Sequence, residues 1–118
     1  MNTQPITIAD GHVTIRPTTG GVWLSQHQIT DLFGVFVSAV GSNIRSILKS
    51  GILCEEKVYR RKRNRDGSIV ELYSLEMITA LAFRLKSPKA ETFRKWIVEQ
   101  ATNPVILWKM PDQDAILN

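Results

Sequence analysis

The chain has 118 residues, a length that fits one domain, and 43% of them are hydrophobic, enough to bury a core. No apolar run approaches the ~20 residues of a membrane-spanning helix. The single cysteine, Cys54, excludes an internal disulfide and fits a reducing compartment. Met1 to Pro5 has neither a basic stretch nor an apolar one, so no secretory leader is expected and the chain is read as cytoplasmic. The formal net charge is +4.

Residues 5–24 read as short strands. Ile6 and Ile8 alternate with Thr7, and Val13 and Ile15 with Thr14, around Asp10-Gly11, a strong hairpin signal. Pro17 and the stretch Thr18 to Gly21 read as a loop. Val22 to Leu24 is a third strand delivering the chain into residues 25–50, where two helices are expected. Ser25 and Gln28 have the spacing of a capping box, and Leu24 with Ile29 that of a hydrophobic staple. Ile29, Leu32 and Phe33 share one face, and Gly34 ends the helix. Val37, Val40, Ile44, Ile47 and Leu48 then give a second amphipathic helix, closed by Gly51. Two short helices across a tight glycine turn are the helix-turn-helix arrangement, with the second offered to the major groove. The same pattern also suits a helical pair that is only core.

After a connector from Gly51 to Glu56, residues 57–73 read as a hairpin turning at Asn64-Arg65-Asp66-Gly67. Val58, Val70 and Leu72 are expected inward, Ile69 and Tyr73 on the other side. Six of the fifteen basic residues, Lys57, Arg60, Arg61, Lys62, Arg63 and Arg65, fall here, directly after Arg45 and Lys49. A patch of this kind beside two helices is the electrostatic footprint of a polyanion binder, although taken alone it better suits a solvated, charged hairpin with no partner. Residues 75–101 read as two further helices: one capped by Ser74 and running to about Leu85, one opened by Ser87-Pro88 and stopped at Asn103-Pro104. Phe93, Trp96 and Ile97 form its buried stripe. Residues 102–118 are the tail, in which Val105 to Trp108 is apolar. The fold class expected is α+β: a single winged helix-turn-helix-like domain over 1–118, with an N-terminal β-hairpin and additional C-terminal helices.

In this order, Val22-Trp-Leu-Ser-Gln26, Leu32-Phe-Gly-Val35, the basic hairpin with its Asp-Gly, Tyr73-Ser-Leu-Glu-Met-Ile78, Lys86-Ser-Pro88 and Phe93-Arg-Lys-Trp96 resemble the RhuM family. These are bacterial proteins named as virulence proteins, with N-terminal regions likened to phage-type DNA-binding proteins. The resemblance implies DNA binding by a winged-helix-like region and no defined reaction. It departs from the family at Phe36-Val37-Ser38-Ala39, where small polar residues are usual, and again after Trp96.

The expected partner is double-stranded DNA and the expected role that of a transcriptional or mobile-element regulator. Ser38, Ser42, Asn43 and Arg45 are the candidates for base edges, since Asn suits adenine and Arg suits guanine. Lys49, Lys57, Arg60, Arg61, Lys62, Arg63 and Arg65 are the candidates for phosphates. Gly41 costs ~1 kcal/mol against Ala in mid-helix, so it is expected to permit a close approach, a neighbouring helix being favoured over DNA. Phe36, if exposed, would pack on sugars and thymine methyls or on a protein. The competing class is a protein-interaction module of a virulence-associated system. No enzyme is expected: His27 and Asp31 stand one helical turn apart, a spacing common on solvated faces, and two distant histidines with one cysteine make no metal constellation. No cofactor and no small-molecule substrate are evident. A symmetric dimer would double the site, and monomer and homodimer both stay open.

Overall fold

Asp10 and Gly11 both take positive φ, 52° and 76°. That is the two-residue turn whose twist matches paired strands. Around it β1 (Ile6–Ala9) pairs antiparallel with β2 (His12–Ile15). The computed structural model describes residues 4–16 and 18–102. Pro17, the expected stop at Asn103-Pro104, and the tail with its Val105 to Trp108 run lie outside the described residues.

A second sheet has three strands in the order β3-β5-β4, all antiparallel: β3 (Trp23–Ser25), β4 (Tyr59–Arg63) and β5 (Ile69–Ser74). The helices are α1 (Gln26–Phe33), α2 (Val37–Ser50), α3 (Glu55–Val58), α4 (Leu75–Ala82) and α5 (Pro88–Thr102). The protein is thus an α+β domain with five helices and two small antiparallel sheets among the described residues.

Local chemistry accounts for most boundaries. The Gln28 amide donates to Ser25 Oγ at 3.2 Å, and the Ser25 amide donates to Gln28 Oε1 at 2.8 Å, so both ends of the capping box are closed. Gly34 and Gly51 end α1 and α2 in the left-handed region, at φ 64° and 77°. Ser87 opens α5 by accepting the Ala90 amide at 3.0 Å. Its hydroxyl also donates to the Phe33 carbonyl at 2.7 Å, joining α5 to the end of α1. The core gathers Ile6 and Ile8, the α1 stripe Ile29, Leu32 and Phe33, Val40, Ile44 and Ile47 of α2, and Met77, Ile78 and Leu81 of α4. Phe33 and Phe93 meet edge to face at 5.6 Å.

Several expectations are corrected. Val37 is 49% exposed and does not belong to the buried stripe of α2. Part of the expected connector folds as α3, which takes Lys57 out of the hairpin and moves the paired segment to 59–74. Tyr73 is buried, because β3 pairs with β5 in a register that sets Tyr73 beside core residue Leu24. Val70 and Leu72 therefore lie half-buried on the opposite face. Helix α4 stops at Ala82, and Leu85 is buried from the turn that follows. Ser74 occupies the N-cap position of α4, but its hydroxyl is buried without a hydrogen-bond partner among the described residues. Trp96 is half-buried, its ring 5.8 Å from that of Phe93.

Candidate nucleic-acid interface

Helices α1 and α2 are bent by 116° across Gly34-Val35-Phe36, within the 90–120° range of helical pairs that present the second helix to a groove. Along α2, Ser38, Ser42, Arg45 and Lys49 recur at steps of four, three and four, and all are exposed. They form one strip opposite the buried Val40, Ile44 and Ile47. Asn43 is half-buried beside this strip, and its Nδ2 donates to the Ala39 carbonyl at 2.8 Å. That bond uses one of the two Nδ2 hydrogens and leaves the other, with Oδ1, unengaged by it.

The two flanks of the strip differ. On one, Gln26 of α1 lays its carboxamide over Gly41 and donates to the Val37 carbonyl at 3.1 Å. The close approach that Gly41 permits is thus to a neighbouring helix. On the other, Phe36, Ala39 and Asn43 border a groove whose far wall is the turn between α4 and α5, with Arg84 and Lys86. Phe36 is 83% exposed. The Arg84 Nη1 donates to Ser46 Oγ at 2.8 Å.

The hairpin β4-β5 carries Arg60, Arg61, Lys62, Arg63 and Arg65, all exposed. Strand alternation divides them. Arg60 and Lys62 share a face with Trp23, Val70 and Leu72, where the Arg60 guanidinium stacks 4.2 Å from the Trp23 ring centre. Arg61 and Arg63 occupy the other face with Tyr59 and Glu71. Arg65 sits in the turn, and Lys57 is exposed on α3. Two acids of the hairpin, Glu71 and Asp66, are hydrogen-bonded. Glu71 lies opposite Arg61, but it accepts the Tyr59 hydroxyl at 2.5 Å, and that bond raises the Tyr59 pKa. Asp66 accepts the Ser68 hydroxyl at 2.6 Å and the Ser68 amide at 2.8 Å, which hold its carboxyl below the ordinary value. Among the described residues the one ion pair is Lys95 with Glu91, on α5.

Hairpin and α2 meet through β3 and α1. Arg60 pairs with Leu72 and Leu72 with Ser25, two strand spacings of about 4.8 Å. Gln26 follows Ser25 and rests on α2. Sequence reasoning missed Gln26, Arg84 and Lys86. The alternation Arg84-Leu85-Lys86 was the available signal, since burying Leu85 turns both cations outward.

Among the described residues no group of three or more His, Cys, Asp and Glu is placed to hold a metal ion. No single described helix is long and apolar enough to cross a membrane. Comparison with protein-family models, with curated proteins and with solved structures finds no match.

Proposed function

We propose that this is a DNA-binding domain of the winged helix-turn-helix kind, a regulator that sets α2 in the major groove and the basic hairpin along the phosphate backbone. One observation carries the reading: an exposed polar strip on α2 adjoins, through β3 and α1, a hairpin whose cations are free of ion pairs among the described residues. The strand order β3-β5-β4, with helices entered from β3 and left before β4, supports the winged-helix assignment. The resemblance to RhuM N-terminal regions belongs to the same proposal. The reading has no enzymatic step and no cofactor.

The strip has only Arg45 and Lys49 as cations, so affinity rests mainly on phosphates and sequence discrimination is modest. Binding to random duplex DNA is the test. Each phosphate contact contributes about −0.9 to the slope of log affinity against log salt, and roughly five contacts give about −4 to −5. Replacing Arg60, Arg61, Lys62 and Arg63 with Gln together should flatten that slope markedly. Absence of salt-dependent binding in the parent protein defeats the reading. It would turn attention to an acidic protein partner for the same hairpin.

A further inference from the structure

We infer that the groove between α2 and the α4–α5 turn is a second track for the DNA backbone, taking a deoxyribose-phosphate unit on the side of α2 away from Gln26. This rests on the DNA-binding reading and adds to it a site that the hairpin does not contain.

The groove has a volume of about 360 Å³, within the roughly 300–1,000 Å³ of small-ligand clefts. Its two walls have different chemistry. Arg84 and Lys86 are exposed cations on one wall, and neither has an ion-pair partner among the described residues. Phe36 on the other wall holds its ring in solvent. The groove thus sets an exposed aromatic ring across from two exposed cations. A sugar-phosphate unit satisfies both, with its anionic oxygens on the guanidinium and ammonium groups and its apolar sugar face on the ring.

The helical wheel fixes the relation to the reading strip. Ala39, Asn43 and Ser46 recur at steps of four and three along one edge of α2, with Phe36 at the N-cap before them, and Val37 and Gly41 lie on the other. Ser38, Ser42, Arg45 and Lys49 lie between. A helix lying in a major groove about 12 Å wide has a phosphate rim on each side. The β3–α1 side leads to the hairpin, and the Arg84 side has only this groove. The bond from Arg84 to Ser46 fixes the guanidinium against α2, so the cation is already placed when DNA arrives.

Salt-dependence of binding to a random duplex tests this with R84Q, K86Q, F36A and a control, K95Q, whose lysine pairs with Glu91 outside the groove. R84Q and K86Q are each expected to reduce the slope by about 0.9, the value of one lost phosphate contact. F36A is expected to weaken binding several-fold at every salt concentration with the slope unchanged, and K95Q to leave the slope alone. A folding defect lowers the active fraction without changing the slope, so the slope separates contact from damage. If both R84Q and K86Q keep the parent slope while hairpin variants lose theirs, the groove is no backbone track and the DNA-binding reading stands. If the parent shows no salt-dependent binding, the reading falls and takes this inference with it.

Discussion

The carboxamide of Gln26 lies on Gly41, where an added Cβ would stand 2.7 Å from Gln26 Nε2 and 3.4 Å from Arg45 Nη1. Gly41 has an ordinary helical φ, so the only obstacle to alanine there is the end of a flexible side chain. Alanine gains about 1 kcal/mol over glycine in a helix interior. Displacing Gln26 forfeits a hydrogen bond worth a net 0.5–1.5 kcal/mol or so. G41A should therefore be near neutral in the parent protein and should stabilise a Q26A background by about 1 kcal/mol. Urea unfolding of the four proteins in this cycle measures the difference, and equal effects in both backgrounds would refute the contact.

Three serines at helix starts look alike in sequence and differ in the folded chain. Ser25 and Ser87 both accept a backbone amide, and Ser87 also donates to Phe33. Ser74 has a buried hydroxyl with no partner among the described residues. S25A should cost about 1 kcal/mol, the usual cost of losing a cap. S87A should cost more, about 2 kcal/mol, since the Phe33 carbonyl loses its donor too. S74A should be neutral or stabilising, because it removes a desolvated polar atom. Thermal unfolding ranks the three, and a loss in S74A as large as in S25A would contradict the assignment.

What the sequence made legible was local. The Ser25–Gln28 spacing, Asp10-Gly11, Gly34 and Gly51 each act within a few residues, and each holds in the structure. The inward face of the hairpin was misread because alternation gives a period without saying which phase is inside. Pairing of β3 with β5 decides that, by placing Tyr73 beside Leu24. Helix α3 spans four residues, too few to show a period, and its N-cap Cys54 makes no side-chain cap. The groove at Arg84 and Lys86 arises only when α4 packs on α2, a contact between segments nearly forty residues apart.

At the hairpin tip, Asp66 holds the Ser68 hydroxyl and amide, and its pKa is lowered by those bonds. A carboxyl with a lowered folded pKa contributes its stabilisation in full above its unfolded value, near 3.9, and loses it as pH falls through the folded value. The turn should therefore keep its form at neutral pH and loosen only in acid below about pH 4. A carboxyl-carbon NMR titration should place the Asp66 midpoint below the ordinary value in the parent and return it toward about 3.9 in S68A. An unchanged midpoint in S68A would assign the shift to another source.

Arg94 of α5 closes the end of α4. Its Nη1 donates to the Ala82 carbonyl at 2.6 Å and the Leu85 carbonyl at 2.9 Å. Ala82 ends α4, where a helix has run out of internal donors, so a cation there meets an orphan carbonyl and the negative end of the helix dipole, while Leu85 lies in the turn beyond. The same bonds fix the turn that presents Arg84 and Lys86. R94A should lose about 1.5–3 kcal/mol, the scale for hydrogen bonds to a charged group. R94K should recover only part, because lysine's strongly hydrated ammonium sits on a flexible stem and its donors are not held in a fixed plane as those of the guanidinium are. The amides of Arg84 and Leu85, which bond back to Leu81 at 2.9 Å each, should exchange faster in R94A. If neither stability nor exchange at those two amides changes, the α4–α5 turn holds its shape without Arg94.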